Sequence, residues 1–343
     1  MVGRRSAWWL MRADHVVLAQ GRRPGGPSLP WLVHGTNALP LRSLRGRLPF
    51  AAARSVTSLL ADWPTHATAL QTVTTSAEVA RLIDSNGSEL RSLELEAPVQ
   101  PGQLFCTIGN YGRQVVQAAE DAVGDAGASR LRRARSEAEA GVALRRARGE
   151  PYVCLTSPSR VTGPAATVRA DDPTLDWEVE IAAILGAEGW HVDAESADGL
   201  IAGYCTANDL TVRARVARPD LPALGSDWVQ SKGAPGTLPL GPWFVPAWHV
   251  GDIASLRLRL WVNGELMQDD TARDMIFPVS EQVAYLSRHT ALQPGDVICT
   301  GSPAGFGSHY GRYLRSGDTV AAEVAGLGRQ CITVEHTREG LAA

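Results

Sequence analysis

Residues 175–186, Leu-Asp-Trp-Glu-Val-Glu-Ile-Ala-Ala-Ile-Leu-Gly, constrain the fold more than any other part of the chain. The run is apolar and β-branched at its centre and closes on Gly186, which reads as a strand. Side chains alternate across a strand, so Glu178 and Glu180 share one face and Val179 takes the other. The apolar continuation over 181–185 carries the strand into a buried place. Two carboxylates side by side there repel each other and lose hydration, so they need a cation or one must stay protonated. On a half-exposed strand the same pair would be two ordinary solvated glutamates.

Composition decides what the rest can be. With 343 residues, the chain can form one large domain or two smaller ones. It is 44% hydrophobic and 20% charged, the balance of a soluble globular protein. A net charge of −3 gives no reason to expect nucleic acid or an anionic membrane as partner. The five cysteines, at 106, 154, 205, 299 and 331, form no CxxC pair, so neither a disulfide framework nor a zinc site is indicated. Near the N-terminus, Arg4 and Arg5 precede an apolar run over 7–11 that Arg12 and Asp14 interrupt, too short for a signal peptide or a membrane span. The expected compartment is the reducing cytoplasm.

Residues 1–100 read as a small α+β domain of short strands, turns and helices over 54–63 and 76–84, with no chemical motif. Pro98 and Pro101-Gly102 mark a boundary, and 101–343 forms the second, larger domain. An apolar strand over 103–109 leads into Asn110-Tyr111 and a helix over 114–122. Residues 128–150 predict a helical insertion or lid, whose seven arginines read as a solvated face. From 152 onward strands and turns dominate, including the alternating 256–262 and the Asn263-Gly264 hairpin signal, with one clear helix over 280–289. The fold class is therefore β-rich α+β, a compact rolled sheet with a smaller N-terminal α+β part.

The glutamate pair has company. Asp209 ends a second apolar strand in Thr206-Ala207-Asn208-Asp209, and Arg213 follows four residues later. Ser231-Lys232-Gly233 comes next, and last the loop Thr300-Gly301-Ser302-Pro303-Ala304-Gly305-Phe306-Gly307. In this order, over about 103–334, these elements resemble the fumarylacetoacetate hydrolase family. The resemblance implies a rolled mixed β-sheet catalytic domain, usually dimeric, that holds one divalent cation and acts on neighbouring keto, enol and carboxylate oxygens. It implies Glu178, Glu180 and Asp209 as metal ligands. Three hard oxygen donors without His or Cys agree with magnesium or manganese, with calcium a further candidate. Lys232 takes the position of the family's active-site lysine. Arg213 either neutralises a substrate carboxylate or braces the ligands. Gly301 and Ser302 lie in a loop whose backbone N–H groups can approach a carboxylate.

Two departures bear on the reaction. Many relatives carry Asn-Tyr-x-x-His-x-x-Glu, whereas here Gln114 and Gln117 stand in place of the His and Glu. Glutamine can hold water or a substrate oxygen but cannot take its proton. The lysine often found before the next Pro-Ser is also missing, because 154–159 reads Cys-Leu-Thr-Ser-Pro-Ser. His309, just after the glycine loop, is the candidate replacement base. His191, His249, His289 and His336 read as surface or structural. The expected function is metal-dependent carbon–carbon hydrolysis of a small β-dicarbonyl or 2-oxo acid of the acylpyruvate type. The alternatives are an isomerase, decarboxylase or cyclase that uses metal-stabilised enolate chemistry without water, and a catalytically silent metal-binding protein of the same fold. The expected partners are that small molecule and a second copy of the chain.

Overall fold

The computed structural model describes residues 13–125 and 127–337; the arginine pair and apolar run before residue 13 lie outside them. Its central strand is Val179–Leu185, buried along its whole length. It pairs antiparallel with Ile201–Asn208 on one side and Val297–Cys299 on the other. Leu104–Thr107 and Val153–Thr156 extend this mixed sheet beyond Val297–Cys299, and Val245–Pro246 closes the opposite edge. A second sheet runs in the order Glu265–Thr271, Arg257–Val262, Thr319–Val324, Gly328–His336, Thr167–Ala170. The hairpin expected at Asn263-Gly264 joins its first two strands, with positive φ at both residues.

Apart from Glu180 the central strand is apolar, because both faces are covered. Val179, Ile181, Ala183 and Leu185 share a core with Leu258, Leu260, Val320 and Ala322 of the second sheet. Ala182 and Ile184 share the other core with Val16, Leu18, Leu59 and Leu60 of the N-terminal part. Each fully buried Val, Ile or Leu contributes on the order of 1.5–3 kcal/mol. The strand stops where Gly186 lets the Trp63 ring approach: a Cβ there would sit 2.3 Å from Trp63 Cδ1.

The N-terminal part is a five-stranded antiparallel sheet with helices Trp63–Thr74 and Ala77–Asn86. The second helix starts because the Ser76 hydroxyl accepts from Val79 N, and its buried Val79 and Ile83 sit one turn apart. Between the short strands Ser88–Glu89 and Glu94–Glu96, Leu90–Ser92 forms a 3₁₀ turn that buries Leu90. The helix expected over 54–63 is the short Val56–Leu60, Trp63–Thr74 was not expected, and the remaining expected helices are present as Gly112–Val123, Ala128–Arg148 and Val279–His289.

The N-terminal part joins the larger one through a built contact. Leu18 and Phe244 exchange backbone hydrogen bonds of 3.1 and 2.7 Å. Trp63 stacks on Trp248 at 5.6 Å, and His15 stacks on His249 at 4.8 Å. His249 Nε2 is buried without a hydrogen-bond partner among the described residues. Burial, and then the neighbouring His15, pushes the His249 pKa down to about 4.

A histidine held neutral in the fold but free to protonate when unfolded makes stability rise with pH. Stability from this group is complete above the ordinary value of 6.5, falls as pH drops toward about 4, and is level below that. Urea midpoints measured from pH 7 to pH 4 should therefore fall less steeply in His249→Asn than in the parent. Parallel curves would show that this stacked pair does not carry the acid sensitivity.

Candidate metal centre and active site

The register of two strands assembles the acidic trio. Val179 lies opposite Asn208, which sets Asp209 beside Glu178, and Asp209 N–H donates to Glu178 O at 2.8 Å. Asn208 Oδ1 accepts from Glu178 N at 3.0 Å. Ligand oxygens of Glu178, Glu180 and Asp209 lie within 4.8 Å of one another, and all three residues are buried.

Cations surround two of the three. Lys232 Nζ, fully buried, donates to Glu178 Oε2 at 3.1 Å, to Thr211 Oγ1 at 2.7 Å and to Asp209 Oδ2. Burial opposes the lysine's charge, but Asp209 and Glu178 outweigh it and raise the pKa. Arg213 Nε donates to Asp176 Oδ2 at 2.7 Å. Its Nη2 lies 2.7 Å from Glu178 Oε1, an ion pair whose angles fall short of a hydrogen bond. These contacts hold Arg213 against Asp176 and Glu178.

Arg160 is a site residue that sequence reasoning missed. It is fully buried, and its Nη2 donates to Asp209 Oδ1 at 2.6 Å and to Leu210 O at 3.0 Å. Its Nη1 donates to Thr156 Oγ1 at 3.3 Å. Burial pushes the Asp209 pKa up, but Arg160 and Lys232 together hold it well below the usual carboxylate range. The one available signal was a charged residue directly after the Ser157-Pro158-Ser159 turn.

Glu180 is treated differently. Its Oε2 accepts from Gly301 N at 2.8 Å, and no basic side chain among the described residues pairs with it. Burial first, then Asp209 and Glu178, push its pKa well above the ordinary value. Four acids (Asp176, Glu178, Glu180, Asp209) face three bases (Arg160, Lys232, Arg213), so ionising Glu180, which its surroundings oppose, leaves one negative charge without a basic partner among the described residues. An all-oxygen donor set with that residual charge fits a hard divalent cation.

The glycine loop is clamped from below. Asp176 Oδ1 accepts from Gly307 N at 2.6 Å, and its Oδ2 accepts from Ser308 N at 3.1 Å. Asp176 was legible as the residue two before Glu178, yet only the fold shows its work. Gln117 Oε1 accepts from Gly305 N at 2.8 Å, and Gln268 Nε2 donates to Ser302 Oγ at 3.0 Å. Gly301 must be glycine: its φ is +95°, and a Cβ would meet Asn110 Cβ at 2.9 Å. The Gly301 N–H and the Ser302 hydroxyl are therefore engaged with protein groups, Glu180 and Gln268.

His309 Nδ1 lies 2.8 Å from Asp121 Oδ1. Both line a pocket of about 150 Å³ with Gln114, Gln117, Phe306 and Ser308. The Arg213 guanidinium lies 4.3 Å from the Phe306 ring centroid, which links this pocket to Glu178. The larger cavity of about 670 Å³, lined by Gln20, Arg54, Glu96 and Gln100, lies where the N-terminal part meets the larger one and includes none of these residues.

Residues 103–335 match the sequence profile of the family described as fumarylacetoacetate (FAA) hydrolase C-terminal. This chain belongs to that family. A Burkholderia cenocepacia protein named "Putative hydrolase" is 36% identical over 208 residues, covering 59% of this chain and 70% of its own length. A Mycobacterium abscessus structure described as a probable 2-hydroxyhepta-2,4-diene-1,7-dioate isomerase is similar at TM-score 0.67 and 27% identity, over 94% of this chain and 99% of that one. Fumarylacetoacetate hydrolase from Exiguobacterium antarcticum shares the fold at TM-score 0.68 and 21% identity, over 94% and 99% of the two chains. The chain is an enzyme of this family, with both hydrolases and isomerases among its structural neighbours. Among the described residues no helix is long and apolar enough to cross a membrane.

Glu178→Gln and Asp209→Asn keep side-chain shape while removing one charged ligand each. Calorimetric titration with magnesium or manganese should show binding in the parent and none in either variant, at unchanged circular dichroism. Parental affinity in either variant would take that residue out of the metal site.

Proposed function

We propose that this enzyme is a divalent-metal-dependent hydrolase that cleaves a carbon–carbon bond in a small β-dicarbonyl or 2-oxo acid. The observation that carries this reading is the His309–Asp121 contact beside Gln114 and Gln117. A bound divalent cation at Glu178, Glu180 and Asp209 would polarise the neighbouring oxygens of the substrate as a Lewis acid. Asp121 orients the imidazole through Nδ1, which leaves Nε2 to take a proton from water. Gln114 and the free amide N–H groups of Gln117 hold that water without accepting its proton. Lys232, kept charged by Asp209 and Glu178, contributes positive potential where negative charge develops.

A second reading is isomerisation or decarboxylation through an enolate without water. The glutamines at 114 and 117 favour it, and so does the likeness to a structure described as an isomerase. The variants separate the two. If water is activated by His309, His309→Ala should lower acylpyruvate hydrolysis about a hundredfold, the scale of a lost general base. Hydrolysis at the parental rate would remove His309 from the chemistry, and retained oxaloacetate decarboxylation would then support the second reading.

The enzyme is also proposed to be a homodimer. Val153–Thr156 is an edge strand of the large mixed sheet; its own Leu155 is 63% exposed, and Val229 of the neighbouring helix Trp228–Lys232 is 81% exposed. An apolar sheet edge of this kind requires cover. Light scattering at micromolar concentration should give twice the chain mass; a monomer contradicts the assignment.

A further inference from the structure

Of the seven arginines on Ala128–Arg148, Arg145 is set apart. Arg133, Arg135 and Arg146 pair with Glu137, Glu120 and Glu281 at the surface. Arg145 is half-buried and has no acidic partner among the described residues. Its Nη1 donates to Gly109 O at 2.8 Å, and its guanidinium stands 5.8 Å from the Phe277 ring centroid. Burial alone acts on its charge and lowers its pKa. A guanidinium has five N–H donors, and the single bond to Gly109 leaves most of them uncommitted. Withdrawing such a charge from water without an anion is unfavourable, and a ligand that brings an anion reverses that cost.

Its position says which ligand. A Cβ on Gly109 would lie 3.7 Å from Arg145 Nη1 and 3.9 Å from Gln114 Oε1, so the guanidinium and the Gln114 amide flank one backbone point. The next residue, Asn110, donates through Nδ2 to Thr300 O at 2.9 Å. Thr300 directly precedes Gly301, whose N–H binds Glu180. The uncommitted cation therefore stands on the Gln114 side of the active site, carried by the insertion helix.

We propose that Arg145 is a specificity-determining residue that binds a second carboxylate, at the end of the substrate far from the oxygens held at the acidic trio. This role for Arg145 rests on the function proposed above. The planar guanidinium suits a carboxylate, which can take two parallel N–H bonds from it.

The test uses two probes, acetylpyruvate with one carboxylate and succinylpyruvate with two. Their binding is measured by calorimetry on the full chain and their hydrolysis with magnesium. The parent should bind succinylpyruvate more tightly. Arg145→Gln should weaken succinylpyruvate binding by about tenfold to a hundredfold, the scale of a hydrogen bond to a charged group, and leave acetylpyruvate unchanged. Arg145→Lys should restore part of the loss. Arg146→Gln, which breaks the exposed pair with Glu281 on the same helix, should change neither probe, whereas a purely structural role for the helix would move both. Equal weakening of both probes in Arg145→Gln, no weakening, or a parent without preference for the second carboxylate overturns the assignment. Selective binding without turnover of either probe defeats the proposed reaction and leaves Arg145 in place. Equal hydrolysis of both probes by parent and Arg145→Gln defeats the Arg145 assignment and leaves the reaction standing.

Discussion

Four buried acids held by three buried or half-buried bases form the interaction on which the rest of this structure depends. Asp176, Glu178, Glu180 and Asp209 all lie at the start of the central strand pair, and Arg160, Lys232 and Arg213 converge on them from three separate segments. Removing one partner of such a buried pair costs about 3–5 kcal/mol, because it strands an uncompensated charge. That is a large share of the roughly 5–15 kcal/mol by which a domain is stable. The cluster ties the turn at 157–160, the helix Trp228–Lys232 and the turn at 213–215 to the central sheet. Its one acid without a basic partner among the described residues, Glu180, is costly to ionise unless a cation is present, which makes the cluster a place for a cation as well as a structural knot.

The same carboxylates shape the pocket. Asp176 receives two N–H groups of the glycine loop and Glu180 receives a third, so the loop's course follows from where the strand places its acids. Gln117 reaches the loop from Gly112–Val123 and fixes that helix against Gly305. A glutamine in place of an acid therefore keeps a positioning bond while giving up proton transfer. In the hydrolysis proposed above, proton transfer falls to the histidine brought there by the loop, whose Nδ1 lies 2.8 Å from Asp121 Oδ1.

Ala128–Arg148 shows how exposed charge can mislead. The helix buries no residue, as its composition indicated. Its arginines are nonetheless not equivalent, because Arg146 holds Glu281 of Val279–His289 and Arg145 reaches the backbone at Gly109. The cysteines show the converse. Scattered in sequence, Cys154, Cys106 and Cys299 lie side by side on three neighbouring strands, with Arg160 3.7 Å from Cys106 Sγ.

The strand and its acidic pair were legible because their signal is local. Alternation places Glu178 with Glu180, and an apolar run covered on both faces leaves no place for unpaired charge. Asp209, Lys232 and the glycine loop were legible through their collinear order, and helix positions through the spacing of apolar residues. Arg160, the clamp role of Asp176, the Asp121–His309 contact and the separation of Arg145 from its neighbours were decided by tertiary structure alone. Each is a pairing between residues tens of positions apart or more, and Coulomb attraction and hydrogen bonding act over a few ångströms of space with no regard for distance along the chain. A sequence records which charges exist; only the fold sets which of them meet, and which one, like Glu180 or Arg145, has no opposite among the described residues.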